Sequence, residues 1–193
     1  METDFEVLRQ KLRRGTAIAE PLKRRLWVLG VITEALKVDG IRPILIGGCA
    51  LEYYTFGGYA TRDIDVVVSD HQRFGEVMDQ LGFERRGRYW LRSDLEILLE
   101  APAADLSGET APLTVVELDD LTCYIVGVED LIIDRLNGWV HWGWEDDRRW
   151  VGRLLVLHAD TVDWAYLEKR ATTEGTAEAL AEIRREVRAD DNG

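Results

Sequence analysis

The sequence is short of the residues that build disulfide frameworks, zinc sites and membrane spans. It has two cysteines among 193 residues, Cys49 and Cys123, and neither belongs to a pair with metal-ligand spacing. Its three histidines, His71, His141 and His158, also lack ligand spacing. A membrane-spanning helix needs a run of about eighteen apolar residues, and no run in this sequence is that long. The charged N-terminus lacks the apolar segment of a secretory signal, so we expect a reduced, cytoplasmic protein without a membrane partner.

Basic residues are outnumbered by acidic ones, with 24 Lys and Arg against 36 Asp and Glu, which gives a net charge of −12. This balance disfavours a protein that clamps long nucleic acid, because neutralising phosphates needs clustered cations. One segment, residues 84–92 (ERRGRYWLR), departs from the trend. Its cations and aromatic residues are Arg85, Arg86, Arg88, Tyr89, Trp90 and Arg92. The segment is either a solvated hairpin with its arginines outward or a phosphate-contacting ribbon beside an active site.

The hydrophobic pattern predicts a mixed α/β domain followed by a helical C-terminal part. Helices are expected over 4–14, 20–38 and 49–56, and again before Gly82. Strands are expected over 43–46, 64–68, 83–92, 95–100, 113–117 and 122–126. Three helical patterns follow over 129–141, 145–159 and 163–188, the last with a break at Gly175. We therefore predict a core with N-terminal helices over 1–127 and a helical region over 128–193 packed on it.

Two glycines follow the first short apolar run and open a helix. Gly47 and Gly48 leave backbone N–H groups free of side chains at a helix N-terminus, which favours a phosphate. The stretch GGCALEYY has neither the third glycine of a dinucleotide fingerprint nor the Gly-Lys-Ser/Thr of a Walker loop. Cys49 follows at the helix start, where its pKa could fall, although a buried small residue is the simpler interpretation.

Two aspartates lie side by side on the next predicted strand. Asp63 and Asp65 are two residues apart, so their side chains point the same way. Carboxylates that close repel each other unless a cation lies between them, and Mg²⁺ prefers carboxylate and phosphate oxygens. The alternative is a strand end at which both carboxylates reach water and pair with Arg62.

A site for two metal ions usually needs a third carboxylate. The segment 94–100 (DLEILLE) offers Asp94, Glu96 and Glu100, which alternation would place on one face of a strand. Glu96 is central in that predicted strand and is the first choice, and Glu100 is the second.

The order of these motifs resembles the nucleotidyltransferase superfamily typified by DNA polymerase β. The resemblance rests on an apolar strand, Gly47-Gly48, a short helix, and Thr61-Arg62-Asp63-Ile64-Asp65 at the start of a second apolar strand. Within that superfamily the chain looks most like small bacterial nucleotidyltransferase-like proteins related to the abortive-infection type IV (AbiEii-like) toxins. Residues 129–142 (EDLIIDRLNGWVHW) resemble a helix that follows the core in such proteins.

The resemblance implies a polymerase-β-type mixed sheet flanked by helices, with a C-terminal helical extension. Gly47, Gly48, Thr61 and Arg62 would bind the nucleotide, and the metal ligands would be Asp63, Asp65, Glu96 and Glu100. Catalysis would rest on Asp63, Asp65 and Glu96, with Glu96 at the second metal or accepting the proton of the attacking hydroxyl. Gly-Gly replaces the more widespread Gly-Ser of the superfamily, which removes one hydroxyl from the phosphate site.

The implied reaction is the Mg²⁺-dependent transfer of a nucleoside monophosphate from an NTP to an acceptor hydroxyl, with two ions expected. The acceptor could be tRNA, a protein or a small molecule, and a cognate toxin or antitoxin would be a further partner. The competing hypothesis is an inactive nucleotidyltransferase-fold protein with an interaction or antitoxin role. A small-molecule adenylyltransferase of the antibiotic-modifying kind would need an acidic acceptor cleft, which the surplus of Asp and Glu allows.

Overall fold

The structure is a computed structural model that describes residues 3–106 and 110–190. In chain order its helices are α1 (Phe5–Arg14), α2 (Pro21–Leu36), α3 (Gly47–Tyr54), α4 (His71–Gln80), α5 (Val128–Trp142), α6 (Glu145–Leu157), α7 (Trp164–Glu174) and α8 (Ala177–Asp190). Its strands are β1 (Ile44–Ile46), β2 (Asp63–Val67), β3 (Glu84–Arg86), β4 (Tyr89–Arg92), β5 (Ile97–Ala103), β6 (Thr114–Leu118) and β7 (Leu121–Ile125). Short 3-10 turns cover Gly15–Ala17, Lys37–Asp39 and Ser93–Leu95.

The described residues fall into two compact units. One contains the chain up to residue 106 together with 113–126, and the other contains 110–112 and everything from 127 onwards. The first unit holds the whole sheet and α1 to α4, and the second holds α5 to α8. Packing of the C-terminal helices on the core stays a prediction.

The sheet of the first unit is mixed. Its strand order is β3-β4-β5-β2-β1-β7-β6, so β2 lies at the centre. β2 runs antiparallel to β1 and parallel to β5, and β1 is also parallel to β7. The hairpin β3–β4 forms one end of the sheet, and β4 runs antiparallel to both β3 and β5. The apolar strand bearing the two aspartates is therefore the middle strand of the sheet.

One face of the sheet is lined by buried apolar side chains, and the opposite face carries the two aspartates of β2. Leu45 of β1, Ile64 of β2 and Leu99 of β5 point to the core face, and each of them is fully buried. Helices α2 and α4 cover this face: a Cβ added at Gly30 in α2 would lie 2.9 Å from the Leu121 Cβ, and one at Gly75 in α4 would lie 3.5 Å from the Trp90 ring. Side chains of the opposite face, such as those of Asp63, Asp65 and Glu100, are only half-buried. Polar groups on that face remain within reach of a ligand.

Helix starts in the first unit follow from local capping. The Asp4 carboxylate accepts hydrogen bonds from the backbone N–H groups of the first turn of α1, and Glu20 does the same at α2, where Pro21 occupies the first helical position. Asp70 caps α4 by accepting a hydrogen bond from the Arg73 N–H at 2.9 Å.

In the second unit, α5 is tied to its neighbours by acidic side chains. Asp130 accepts hydrogen bonds from the Ala111 N–H at 2.8 Å and from the Tyr166 hydroxyl at 2.5 Å. Glu129 accepts a hydrogen bond from the backbone N–H of Asp163, and Asp163 is the residue that caps α7. The predicted break at Gly175 is confirmed, because α7 ends there and α8 follows. Among the helices that the structure describes, none is long and apolar enough to cross a membrane.

Candidate active site

The glycine turn at the end of β1 lies against the aspartate strand. Gly47 has a φ of +65°, and a Cβ added there would lie 2.7 Å from the Asp65 Oδ2. A Cβ added at Gly48 would lie 3.2 Å from the Thr61 Oγ1. The backbone conformation and the closeness of Asp65 both require a glycine at position 47. Gly47, Gly48, Thr61 and Asp65 are thus brought together, while their roles in binding a nucleotide stay predictions.

Strand register places a carboxylate directly beside Asp65. Asp65 pairs with Glu100 of β5, and Glu100 pairs in turn with Tyr89 of β4. Residues in register on neighbouring strands share a face, so these three side chains form a row on the face of the sheet opposite Ile64 and Leu99. Asp63 shares that face because it lies two residues before Asp65. We call Asp63, Asp65 and Glu100 the carboxylate row.

The predicted strand over 95–100 is wrong at its start, and this removes two carboxylates from the row. Residues 93–95 form a 3-10 turn and β5 begins only at Ile97. Glu96 follows the turn in a left-handed conformation with φ of +54°, and its side chain is 74% exposed. Its carboxylate accepts a hydrogen bond from the Arg24 Nη2 at 2.5 Å. Asp94 is exposed and pairs with Arg92 at 2.7 Å. The geometry therefore favours Glu100, the second choice from the sequence, as the third carboxylate.

Glu100 is paired with an arginine from the β3–β4 hairpin. The Arg88 Nε lies 3.3 Å from the Glu100 Oε1, with the arginine side chain 70% exposed and the glutamate side chain 14% exposed. Arg88 also donates a hydrogen bond to the Tyr89 hydroxyl at 2.6 Å. This hydrogen bond raises the pKa of Arg88, as do the negative charges of Glu100 and, more weakly, Asp65. The single strand predicted over 83–92 is wrong, because the segment 84–92 forms the hairpin that one interpretation of it predicted. Its Arg88 adjoins the carboxylate row.

A buried ion pair between Arg25 and Glu52 holds the segment beside the glycine turn, and the sequence did not predict it. The Arg25 Nη2 donates to the Glu52 Oε2 at 2.5 Å, and both side chains are nearly buried. The same Glu52 oxygen accepts a hydrogen bond from the Thr61 N–H at 3.1 Å. Glu52 therefore fixes the backbone of Thr61 beside Gly48. The available signal was a single acidic residue inside the otherwise apolar stretch CALEYY.

Cys49 and Arg62 complete the set of residues named from the sequence. Cys49 is fully buried, and burial raises the pKa of its thiol to about 11. This environment keeps the thiol protonated and unreactive, as the simpler interpretation predicted. Arg62 is exposed directly before Asp63. Its part in nucleotide binding stays a prediction.

The donor set of the carboxylate row fits a hard divalent cation. Carboxylate oxygens are the ligands that Mg²⁺ prefers, and the Asp65 Oδ2 lies against the backbone of the glycine turn, 2.7 Å from where a Cβ at Gly47 would be. Within residues 3–106 and 110–190, however, no three His, Cys, Asp or Glu side chains are already gathered as a metal site. Glu100 instead contacts Arg88. A metal bound by all three carboxylates would therefore share Glu100 with Arg88 or compete with it.

Comparison with known proteins supports the fold. No protein-family model matches the sequence, and no curated protein is similar enough to match. A solved structure that does match is that of an antigenic nucleotidyltransferase-like protein from Paracoccidioides brasiliensis, with a TM-score of 0.55 and 16% sequence identity. The match covers 84% of this chain and 93% of that one. The chain therefore has a nucleotidyltransferase-like fold, whose described residues include a mixed seven-stranded sheet with α1 to α4 in the same unit.

Proposed function

We propose that the protein is a Mg²⁺-dependent nucleotidyltransferase that transfers a nucleoside monophosphate from an NTP to an acceptor hydroxyl. The observation that carries this proposal is how closely the glycine turn approaches the carboxylate row, since a Cβ added at Gly47 would lie 2.7 Å from the Asp65 Oδ2. A phosphate-binding turn and a metal-binding carboxylate side by side can bind the same ligand when that ligand is a metal-bound polyphosphate. The nucleotidyltransferase-like fold supports the same assignment.

Each part of the site would have a separate task. The backbone N–H groups at Gly47 and Gly48 would bind the triphosphate, with Thr61 and Arg62 as further nucleotide contacts. Asp63 and Asp65 would hold the metal, and Glu100 would complete the site for a second ion. When bound, Mg²⁺ would neutralise the phosphate charge and polarise the reacting phosphoryl group.

The reaction balances without any further reactant. The acceptor oxygen forms a bond to the α-phosphorus of the NTP, and the bond from that phosphorus to the oxygen leading to the β-phosphate breaks. Pyrophosphate leaves with the electron pair. The hydroxyl proton passes to a carboxylate of the row or to water. The products are the nucleotidylated acceptor and pyrophosphate.

A transfer assay tests the proposal directly. The protein is incubated with each α-labelled NTP, Mg²⁺ and a cell extract that contains RNA, protein and small molecules. The matched proteins are an Asp63→Asn/Asp65→Asn variant and an Asp79→Asn/Asp105→Asn variant, which removes the same charge from exposed positions. We expect label to move with the wild type and the second variant, and not with the first. The fraction that takes up the label identifies the acceptor class.

The second candidate is an inactive protein of the same fold with an interaction or antitoxin role, and the pairing of Glu100 with Arg88 is the observation that favours it. Metal-dependent NTP binding without transfer to any fraction, even after addition of the native host extract, would favour this candidate. Absence of both transfer and NTP binding would refute the enzymatic proposal.

We further propose a cytoplasmic role in a toxin–antitoxin or abortive-infection system, with tRNA, a protein or a small molecule as the acceptor. Induced expression in a bacterial host tests this role. Growth arrest with the wild type, and normal growth with Asp63→Asn/Asp65→Asn, is the expected result. Equal growth of both strains would argue against a toxin.

A further inference from the structure

The positive charge nearest to the third carboxylate belongs to the loop between β3 and β4. Arg88 follows Gly87 in that loop, and its Nε lies 3.3 Å from the Glu100 Oε1. Asp65 lies in register with Glu100, and its charge also acts on Arg88. Two adjacent carboxylates on a half-buried surface repel each other unless a cation is near. The guanidinium of Arg88 supplies the kind of charge that a metal would supply to the same row.

The two partners of this ion pair are held very differently. Glu100 belongs to β5, which is paired with β2 on one side and β4 on the other, and its side chain is 14% exposed. Arg88 lies outside any strand, and its side chain is 70% exposed. It also contacts Tyr89, by a hydrogen bond at 2.6 Å to the hydroxyl and a guanidinium-to-ring distance of 4.9 Å. The arginine can therefore leave while the glutamate stays.

We infer that Arg88 is the resident counter-ion of Glu100, that a divalent metal displaces it, and that the displaced guanidinium then binds the phosphates of the incoming nucleotide. The inference rests on the proposed function, because it concerns the same metal and the same nucleotide. An arginine suits both partners, since its planar fork binds carboxylate and phosphate alike. The exchange would couple metal binding to the preparation of the phosphate site.

If this exchange occurs, removing Arg88 should change the affinity for metal and the affinity for nucleotide in opposite directions. Without nucleotide, Arg88 competes with the metal for Glu100, so removing it should tighten metal binding. With metal bound, Arg88 contributes to phosphate binding, so removing it should weaken nucleotide binding. A residue that only stabilises the hairpin would change neither affinity, and one that only neutralises charge would change just the first.

The experiment measures both affinities in the full chain. Free Mn²⁺ is followed by electron paramagnetic resonance to obtain the Kd of the metal alone, and calorimetry at saturating Mn²⁺ gives the Kd of each NTP and of inorganic triphosphate. The proteins are wild type, Arg88→Ala, Arg88→Lys and Arg86→Ala. Arg86 is the matched control, because it lies in the same hairpin and pairs with Glu84 at 2.8 Å. Circular dichroism confirms that each variant is folded.

For Arg88→Ala we expect the Kd of Mn²⁺ to fall about two- to fivefold, a modest change because the ion pair is largely exposed on one side. The Kd of the preferred NTP should rise about tenfold, since a charge-assisted contact to phosphate is lost. Arg88→Lys should keep the wild-type Kd for Mn²⁺ within about twofold because the charge remains. Arg86→Ala should change both constants by less than about twofold.

The outcomes separate this inference from the proposed function. If the wild type binds Mn²⁺ and Asp65→Asn does not, but Arg88→Ala behaves as Arg86→Ala does, the inference is wrong and the metal site stands. Weaker Mn²⁺ binding by Arg88→Ala, or unchanged NTP binding, also overturns it. If neither the wild type nor Arg88→Ala binds Mn²⁺ in the presence or absence of NTP, the proposed metal-dependent function fails as well.

Discussion

Gly47 is constrained both by its left-handed backbone conformation and by the nearby Asp65 carboxylate. An alanine there must adopt a φ of +65° and place its Cβ 2.7 Å from the Asp65 Oδ2. Gly40 is a matched control, because its φ is +69° and a Cβ there would contact nothing within 4 Å. We expect each alanine variant to lose about 1–2 kcal/mol of the free energy of unfolding from the positive φ, as measured by urea denaturation.

Only Gly47→Ala should also impair the site, because only its methyl group displaces the Asp65 carboxylate. The Kd of Mn²⁺ should rise about tenfold or more in Gly47→Ala and stay at the wild-type value in Gly40→Ala, since one misplaced ligand weakens a metal site strongly. Equal metal affinities in the two variants would show that Asp65 does not depend on this contact.

Glu100 and Glu96 compete for the role of third carboxylate, and a pair of conservative substitutions decides between them. Glu100→Gln removes a charge from the carboxylate row, whereas Glu96→Gln removes one from an exposed pair with Arg24. We expect the transfer rate to fall about 10²- to 10³-fold in Glu100→Gln, the usual scale for losing one electrostatic contact to the reacting group. Glu96→Gln should stay within about twofold of wild type. The reverse order would restore Glu96 to the site.

At the scale of elements, the ion pair between α2 and α3 is expected to dominate local stability. Removing one partner of the Arg25–Glu52 pair leaves a buried charge unpaired, so Glu52→Ala should cost about 3–5 kcal/mol in the free energy of unfolding. Glu6→Ala is the comparison, because Glu6 pairs with Arg9 and Arg13 on the exposed side of α1 and should cost no more than about 1 kcal/mol. Urea unfolding measures both. Similar losses would mean that the buried pair is solvated after all.

The elements also show why the sequence predicts one part of the site better than another. Gly47, Gly48, Asp63 and Asp65 lie within one strand–helix–strand unit, so their spacing along the chain already indicates that they meet. Glu100 enters through the pairing of β2 with β5, and alternation within one segment cannot reveal that register. The 3-10 turn over Ser93–Leu95 shifts the strand start and removes Glu96 from it.

Arg88 and Glu52 lie beyond the reach of local pattern for a related reason. The turn at Gly87 divides the predicted strand over 83–92, and only the antiparallel pairing of β4 with β5 brings that turn beside Glu100. Glu52 meets Arg25 of the preceding helix, 27 residues away along the chain, through a tertiary contact that periodicity does not reveal. Fold class, the order of the helices and the central apolar strand depend on local periodicity, and these predictions are confirmed.

For the molecule as a whole, the two buried thiols predict how stability depends on alkaline pH. Burial raises the pKa of Cys49 to about 11 and that of Cys123 to about 12, against 9.0 for a free thiol. Above pH 9 the unfolded chain loses thiol protons that the folded chain keeps, so stability falls as pH rises. Each thiol should cost about 1.4 kcal/mol per pH unit from pH 9 until its folded pKa is reached.

Urea unfolding of the wild type and of a Cys49→Ala/Cys123→Ala variant between pH 8 and pH 11 measures this contribution. The variant has a lower starting stability because two buried side chains shrink, but its stability should fall less steeply with pH. Parallel profiles for the two proteins would show that the thiols do not contribute. Iodoacetamide should label neither thiol in the native protein at pH 8 and both after unfolding.

The strand order has a consequence for the timescales on which the two halves of the candidate site respond. β2 is hydrogen-bonded on both edges, so its amide protons should exchange with deuterium only when the whole unit unfolds. The three side chains of β3 are all exposed, and this edge strand should exchange through brief local openings. We therefore expect Asp63 and Asp65 to belong to the slowest-exchanging strand and Arg88 to adjoin one of the fastest. A ligand would meet two aspartates on a rigid strand and an arginine that adjusts to it.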